Sequence, residues 1–367
     1  MQKKTFNKLD LDVYEEVLDN GLRIYIAPIS RVSAHVAMTS LYGSAIMEFK
    51  PLGQDEYFKI PAGTAHFLEH KMFAKEDGQD IMDIFQKNGA RSNAYTNNHI
   101  TSYYFNAPNH FYENLENLLN CVTIPYYTAE NIEKEKGIID QEIKAGFDDP
   151  TGLCYYTSLL NTFKEYPYRY PVAGYSKTIK NINADILYNC YNTFYHPANM
   201  LLTIAGDVNP EEVISFVKNY YAKKDYPPLK TIEIKHYDEP QEVLKKDETI
   251  HKDITNNIIE MAYKVSIKDN PLSLLKILSY IGIYLDIKFG AISKFNKEAM
   301  ENKNILYQVG YMMDNVGDYI FIDFDTSVVK VDNIFDLVNE NLNNRDFSEQ
   351  EFNLIVKNII KSLVLMS

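Results

Sequence analysis

The sequence predicts an α+β protein of two related domains, each a mainly antiparallel sheet with helices packed on one face. Three observations lead there. Short alternating segments joined by tight polar turns read as antiparallel hairpins. Longer segments with apolar residues three and four apart read as helices laid on those sheets. After the break at Asp225-Tyr226-Pro227-Pro228 the same succession of elements begins again, a weak internal repeat.

The elements follow in chain order. Residues 14–18 run into Asp19-Asn20-Gly21, a hairpin turn signal, and 22–27 return from it. A further strand alternates from Ala34 through Val36 and Met38 to Leu41 and stops at Gly43. Residues 48–61 mix proline, glycine and charge without periodicity and read as a loop. Thr64 is expected to cap a helix that runs to Phe73. A second helix, 80–87, is halted by Asn88-Gly89. Strands at 92–95 and 99–105 are joined by the polar Thr96-Asn97-Asn98. Helices are expected at 111–122, 129–146 and 186–195, the last ended by His196-Pro197. A buried-type strand covers 201–206, and Asn209-Pro210 opens a helix at 211–221. In the second half, 258–265 and 319–324 read as strands and 272–285 as an apolar helix. The expected domains are 1–225 and 241–367, with a linker at 226–240. The second unit reads as shorter than the first and unfinished, its helix-like pattern reaching the last residues.

The 367 residues suit two domains of roughly 100–200 residues each. Thirty-seven basic and fifty acidic residues give a net charge of −13, which argues against a nucleic-acid binder. No apolar run nears the roughly 18 residues needed for a membrane span, and no secretory signal follows Met1, so a cytoplasmic location is expected. Cys121, Cys154 and Cys190 lack the spacing of a thiolate metal site and read as small buried hydrophobes.

The chemistry lies in Gly63-Thr64-Ala65-His66-Phe67-Leu68-Glu69-His70. Two histidines four apart on a helix face the same way and can bind one ion. Zinc accepts imidazole nitrogen and takes three protein ligands at a catalytic site. Glu69, three residues after His66, lies beside those ligands, placed to move a proton between an attacking water and a leaving amine. The order H-x-x-E-H inverts the commoner H-E-x-x-H signature. The helix at 129–146 offers acidic candidates for a third ligand. Glu135 and Glu142 are seven apart and share a face, which Ile138, Ile139 and Ile143 make apolar. Glu130 and Glu133 read as a solvated, acidic first turn.

With these motifs the chain resembles the insulinase, or pitrilysin-like, family of zinc metallopeptidases, the inverzincins, nearest the bacterial processing-peptidase type. The resemblance also covers Ser92-Asn93-Ala94-Tyr95-Thr96, residues 135–143, Tyr195-His196-Pro197-Ala198-Asn199-Met200 and Ile204-Ala205-Gly206-Asp207-Val208. It implies His66, His70 and Glu142 as zinc ligands, Glu69 as general base and Glu135 as a carboxylate behind the ligands. Asn93 and Ala94 would lie on an edge strand that pairs with a peptide substrate. Family members carry an Arg and a Tyr seven residues apart that help hold the substrate carbonyl. Here those places fall on Met300 and Tyr307, so the Arg is missing. The implied activity is endopeptidase hydrolysis of peptides or unfolded polypeptides, by a homodimer or a heterodimer with a related subunit. The alternatives are a non-catalytic or partner-dependent subunit on the same fold, and a maturation protease for a short secreted peptide or bacteriocin.

Overall fold

The computed structural model describes residues 1–76, 78, 80–331 and 333–366. The chain divides into two compact units: residues 1–144 with 170–236, and residues 145–169 with 237–367. No helix among the described residues is long and apolar enough to cross a membrane.

The first unit holds β1 (Gln2–Phe6), β2 (Leu11–Val17), β3 (Arg23–Pro28), β4 (Ala34–Ser40), β5 (Glu48–Phe49), β6 (Phe58–Lys59), α1 (Thr64–Lys71), α2 (Ile81–Lys87), β7 (Arg91–Thr96), β8 (Thr101–Ala107), α3 (Phe111–Thr123) and most of α4 (Ala129–Asp148). The segment expected to be an irregular loop at 48–61 thus contains the short pair β5–β6. The sheet order is β1-β2-β3-β9-β4-β8-β7, where β9 is Met200–Gly206. Every pairing is antiparallel except β3 with β9. Register explains the core. Ile24 and Met38 flank Leu202, Ile26 and Val36 flank Ile204, and Tyr103 and Phe105 oppose Met38 and Val36. All of these are buried, so period-two alternation puts one apolar layer on one face. Helices α1 and α3, with Ala184–Phe194 and Pro210–Tyr221, bury their own apolar stripes in the same core.

The second unit begins with α5 (Pro150–Thr162), started by Asp149, whose side chain accepts from Gly152 N–H, with proline at the first position. In the first unit α6 (Ser176–Ile179), α7 (Ala184–Phe194) and α8 (Pro210–Tyr221) follow. The second unit resumes with β10 (Asn257–Ser266), α9 (Leu274–Phe289), α10 (Lys294–Glu301), β11 (Gly310–Val316), β12 (Tyr319–Val328), α11 (Ile334–Asn343) and α12 (Glu349–Met366). Ser367 lies outside the described residues. Order β10-β12-β11 repeats β4-β8-β7, with two helices between the first strand and the hairpin in both units. A counterpart of β9 is absent among the described residues of the second unit. One face of this sheet packs Ile259, Met261, Ile320, Ile322 and Phe324 against α9, α10 and α11. On the other, Phe321 meets Leu159 and Phe163 of α5 and its C-terminal end.

This division differs from the expected 1–225, 226–240 and 241–367 in two places. Residues 145–169 belong with the second unit, and 226–240 is no free linker. Lys235 pairs with Glu48 at 2.9 Å and Lys50 with Glu233 at 2.8 Å, tying the near side of that segment to the first unit. On its far side Glu239 is buried. It accepts backbone N–H bonds from Lys164, Glu165 and Tyr166 and pairs with Lys264 at 2.8 Å. A buried ion pair holds only where its remaining donors and acceptors are also satisfied, as here. That network fastens 164–166 to β10.

On the α5 side of the second sheet, Glu260 and Asp323 lie together with Asp325 and Cys154 nearby. Burial, reinforced for Glu260 by the acidic neighbours, pushes both carboxyls well above the usual range. Among the described residues the buried Glu260 Oε2 has no hydrogen-bond partner, a setting that favours the protonated acid. Such groups bind protons more tightly in the folded state. Their contribution to stability is full below about pH 4 and declines as pH rises through their raised folded values. Glu260→Gln is therefore expected to raise the thermal unfolding midpoint at pH 8 while changing it little at pH 4. Calorimetry at the two pH values measures this; an equal shift at both contradicts the pairing.

Candidate metal centre

The helix that carries the paired histidines starts at a fixed point. The expected cap, Thr64, does not cap it: its hydroxyl donates to Pro61 O at 2.7 Å, and Gly63, at φ 95°, takes the cap position instead. A side chain on Gly63 or on Gly174 would collide with the backbone facing it, at Ala173 and Ala62 respectively. Thr178 Oγ1 also donates to Ala62 O at 2.8 Å, so the start of α1 is docked on Ala173-Gly174 and the short helix α6 that follows. One helical turn then sets the His66 and His70 rings side by side, centroids 4.6 Å apart.

Helix α4 brings carboxylates to these rings. Glu142 Oε1 lies 3.3 Å from His66 Nε2, and Glu142 Oε2 lies 3.7 Å from His70 Nε2. Donor atoms of the three side chains fall within 4.8 Å of one another, and among the described residues this is the one such group that could hold a metal ion. Two imidazole nitrogens and a carboxylate oxygen suit zinc and leave a fourth position open. His66 is buried, whereas the Glu142 side chain is 51% exposed, so the place between them opens to solvent.

Two turns before Glu142, Glu135 stands behind His70. Its Oε1 is 3.0 Å from His70 Nδ1, and its Oε2 is 3.3 Å from the Lys71 ammonium. In the tautomer whose Nδ1–H donates to Glu135, His70 has Nε2 free on the side that faces Glu142. Burial alone would lower the His70 pKa, but the hydrogen bond and charge of Glu135 outweigh it and hold the ring above its ordinary value. Burial likewise would raise Glu135, and His70 and Lys71 hold it below the usual range instead. The hydrogen bond from His66 does the same for Glu142. His66 Nδ1, by contrast, is buried with no partner among the described residues.

Glu69 lies on the same helix, next to His70, and its charge acts on that ring. It is 7% exposed, and its Oε2 accepts from Thr96 Oγ1 at 2.6 Å. Thr96 ends β7, and β7 is the edge of the sheet. Asn97 N–H bonds Ile100 O across the turn, so by antiparallel alternation Ser92, Ala94 and Thr96 point their backbone groups away from β8. The outward N–H of Ala94 is met by the Asn93 side chain, at 2.9 Å.

His66, Glu69, His70, Glu135 and Glu142 are thus brought together, with Asn93 and Ala94 on the adjoining edge. Tyr307 belongs to the second unit, between α10 and β11, and is 67% exposed; Met300 is exposed near the end of α10. The expected apolar face of α4 needs one correction. Ile139 and Ile143 are buried, but Ile138 is half exposed, because it points away from the turn that packs. Glu133 sits at the surface and pairs with Lys136 at 2.6 Å. Thr96 and Lys71 were not singled out from sequence. Thr96 is joined to Glu69 only by the fold, and a lysine beside a motif reads as surface, although Lys71 is 3% exposed.

A family model described as Insulinase (Peptidase family M16) matches residues 59–176, and one described as Peptidase M16 inactive domain matches residues 181–359. The chain is 38% identical over 312 residues to the uncharacterized zinc protease YmfH of Bacillus subtilis, covering 84% of this chain and 70% of that protein. It is 32% identical over 183 residues to an uncharacterized zinc protease of Rickettsia bellii, where the match covers 46% of this chain and 44% of the other. Among solved structures, an M16-like peptidase from Alicyclobacillus acidocaldarius superposes with a TM-score of 0.89 at 27% identity, covering 97% of this chain and 84% of that one.

Proposed function

Because the chain belongs to the insulinase family of peptidases, M16, we propose that it is a zinc-dependent endopeptidase acting on peptides or unfolded polypeptides. The observation that carries this reading is the convergence of His66, His70 and Glu142 within 4.8 Å, with Glu69 buried beside them. Those three side chains would hold zinc, and the bound ion would polarise the scissile carbonyl and acidify a water. Glu69 accepts the proton of the attacking water as its oxygen bonds to the carbonyl carbon. It then delivers that proton to the amine nitrogen as the C–N bond breaks. The Thr96 hydroxyl fixes one oxygen of that carboxylate and leaves the other for the proton. Glu135 orients His70 from behind.

Substrate binding is assigned to the edge of β7. An extended peptide added there would bond the outward backbone groups of Ala94 and its neighbours, with Asn93 swinging aside. Backbone pairing favours extended, unfolded chains over any one sequence. Tyr307 is the candidate in the second unit for holding the substrate carbonyl. A second reading, that full turnover needs a partner chain in a homodimer or heterodimer, is favoured by Met300, an apolar side chain where the resemblance expects an Arg.

The test is hydrolysis of a fluorogenic, unstructured peptide by the purified chain, alone and with related subunits. A strong chelator is expected to stop cleavage and stoichiometric zinc to restore it. Undiminished cleavage by the metal-stripped protein would overturn the proposal.

A further inference from the structure

We propose that Lys71 is a positioning residue for the metal centre, acting on His70 through Glu135; this rests on the zinc-site reading above. The Lys71 side chain is only 4% exposed, and among the described residues its ammonium has one acceptor, the Glu135 Oε2 at 3.3 Å. Burying an ammonium against a single acceptor is costly. The geometry shows what the charge does. One carboxylate is split between two donors, with Oε2 on Lys71 and Oε1 on His70 Nδ1 at 3.0 Å. A carboxylate held at one oxygen can still rotate about its terminal bond; held at both, its plane is set. The His70 ring, bonded to that plane, is set with it, and its Nε2 stays aimed at the place that Glu142 faces.

His66 makes this support count for more. Among the described residues its buried Nδ1 has no partner, so nothing holds that ring from behind; its contact with Glu142 is through Nε2, the atom turned to the candidate site. Of the two imidazoles, one alone is braced, and the brace ends on Lys71. The lysine immediately follows His70 on α1, and its ammonium reaches Glu135 from the same helix as the ring it supports.

The test is a zinc-affinity cycle by chelator competition on the folded full chain. It uses Lys71→Met, Glu135→Gln and the double variant, with Lys71→Arg as the charge-keeping control. Lys71→Met is expected to weaken zinc binding roughly tenfold, the scale of a lost partner behind a ligand. Its cobalt-substituted form should show a shifted visible spectrum, and Lys71→Arg should restore both. In the Glu135→Gln background the Lys71→Met change should have little further effect. Lys71→Gln carries the same test if the methionine variant does not fold. Parent-like affinity in Lys71→Met, or an equal loss with and without Glu135, overturns the inference. A parent chain that takes up no zinc at all defeats the zinc-site reading instead.

Discussion

Glu69→Gln is expected to keep its zinc and its fold while losing peptide hydrolysis by about 10²–10⁴-fold, the range for a positioned general base. The substitution is nearly isosteric. A glutamine oxygen can still accept the Thr96 hydroxyl that now bonds Glu69 Oε2 at 2.6 Å, so the side chain should stay in place. What disappears is proton affinity: an amide can neither take the proton of the attacking water nor return it to the leaving amine. The residue is not among the three candidate ligand side chains, so metal content should be unaffected. Elemental analysis beside a turnover assay separates the two properties. Turnover within a few-fold of the parent would remove Glu69 from the chemistry.

His66→Ala is expected to abolish metal binding. One of three donors is lost, and the remaining His70 and Glu142 offer two ligand atoms 3.7 Å apart, an incomplete set for zinc. The loss should exceed the roughly 10–100-fold that removal of a partner behind a ligand costs. The fold should survive, because His66 makes no hydrogen bond through Nδ1 and its helix is held at Gly63 and Thr178. Circular dichroism should match the parent while isothermal titration shows no zinc uptake. Retained tight binding would mean that other residues form the centre.

The local part of this account was legible from sequence, and the non-local part was not. Four-residue spacing puts His66 and His70 on one face whatever the tertiary structure, and the polar Asn97-Asn98 turn announces the β7–β8 hairpin. Spacing offered Glu135 and Glu142 together on one face, the resemblance picked Glu142 as the ligand, and only the fold brings α4 to α1. The Glu69–Thr96 bond depends on α1 meeting β7, and the Lys71–Glu135 contact on α1 meeting α4; neither leaves a trace in spacing. Helix α5 did carry a local signal, Asp149-Pro150, yet its place in the second unit rests on contacts far along the chain, among them the Lys264 ammonium donating to Thr162 O. The parallel pairing of β3 with β9 is likewise invisible in either strand alone: both read as apolar runs, and only the return of the chain after α7 sets their direction.

The central claim is a single metal ion held by residues from two helices. X-ray diffraction from crystals of the parent chain grown with zinc, collected on both sides of the zinc absorption edge, tests it most directly. One anomalous peak should lie within bonding distance of His66 Nε2, His70 Nε2 and a Glu142 oxygen. No peak there, or a peak bound by other side chains while these three stand apart, would contradict the account.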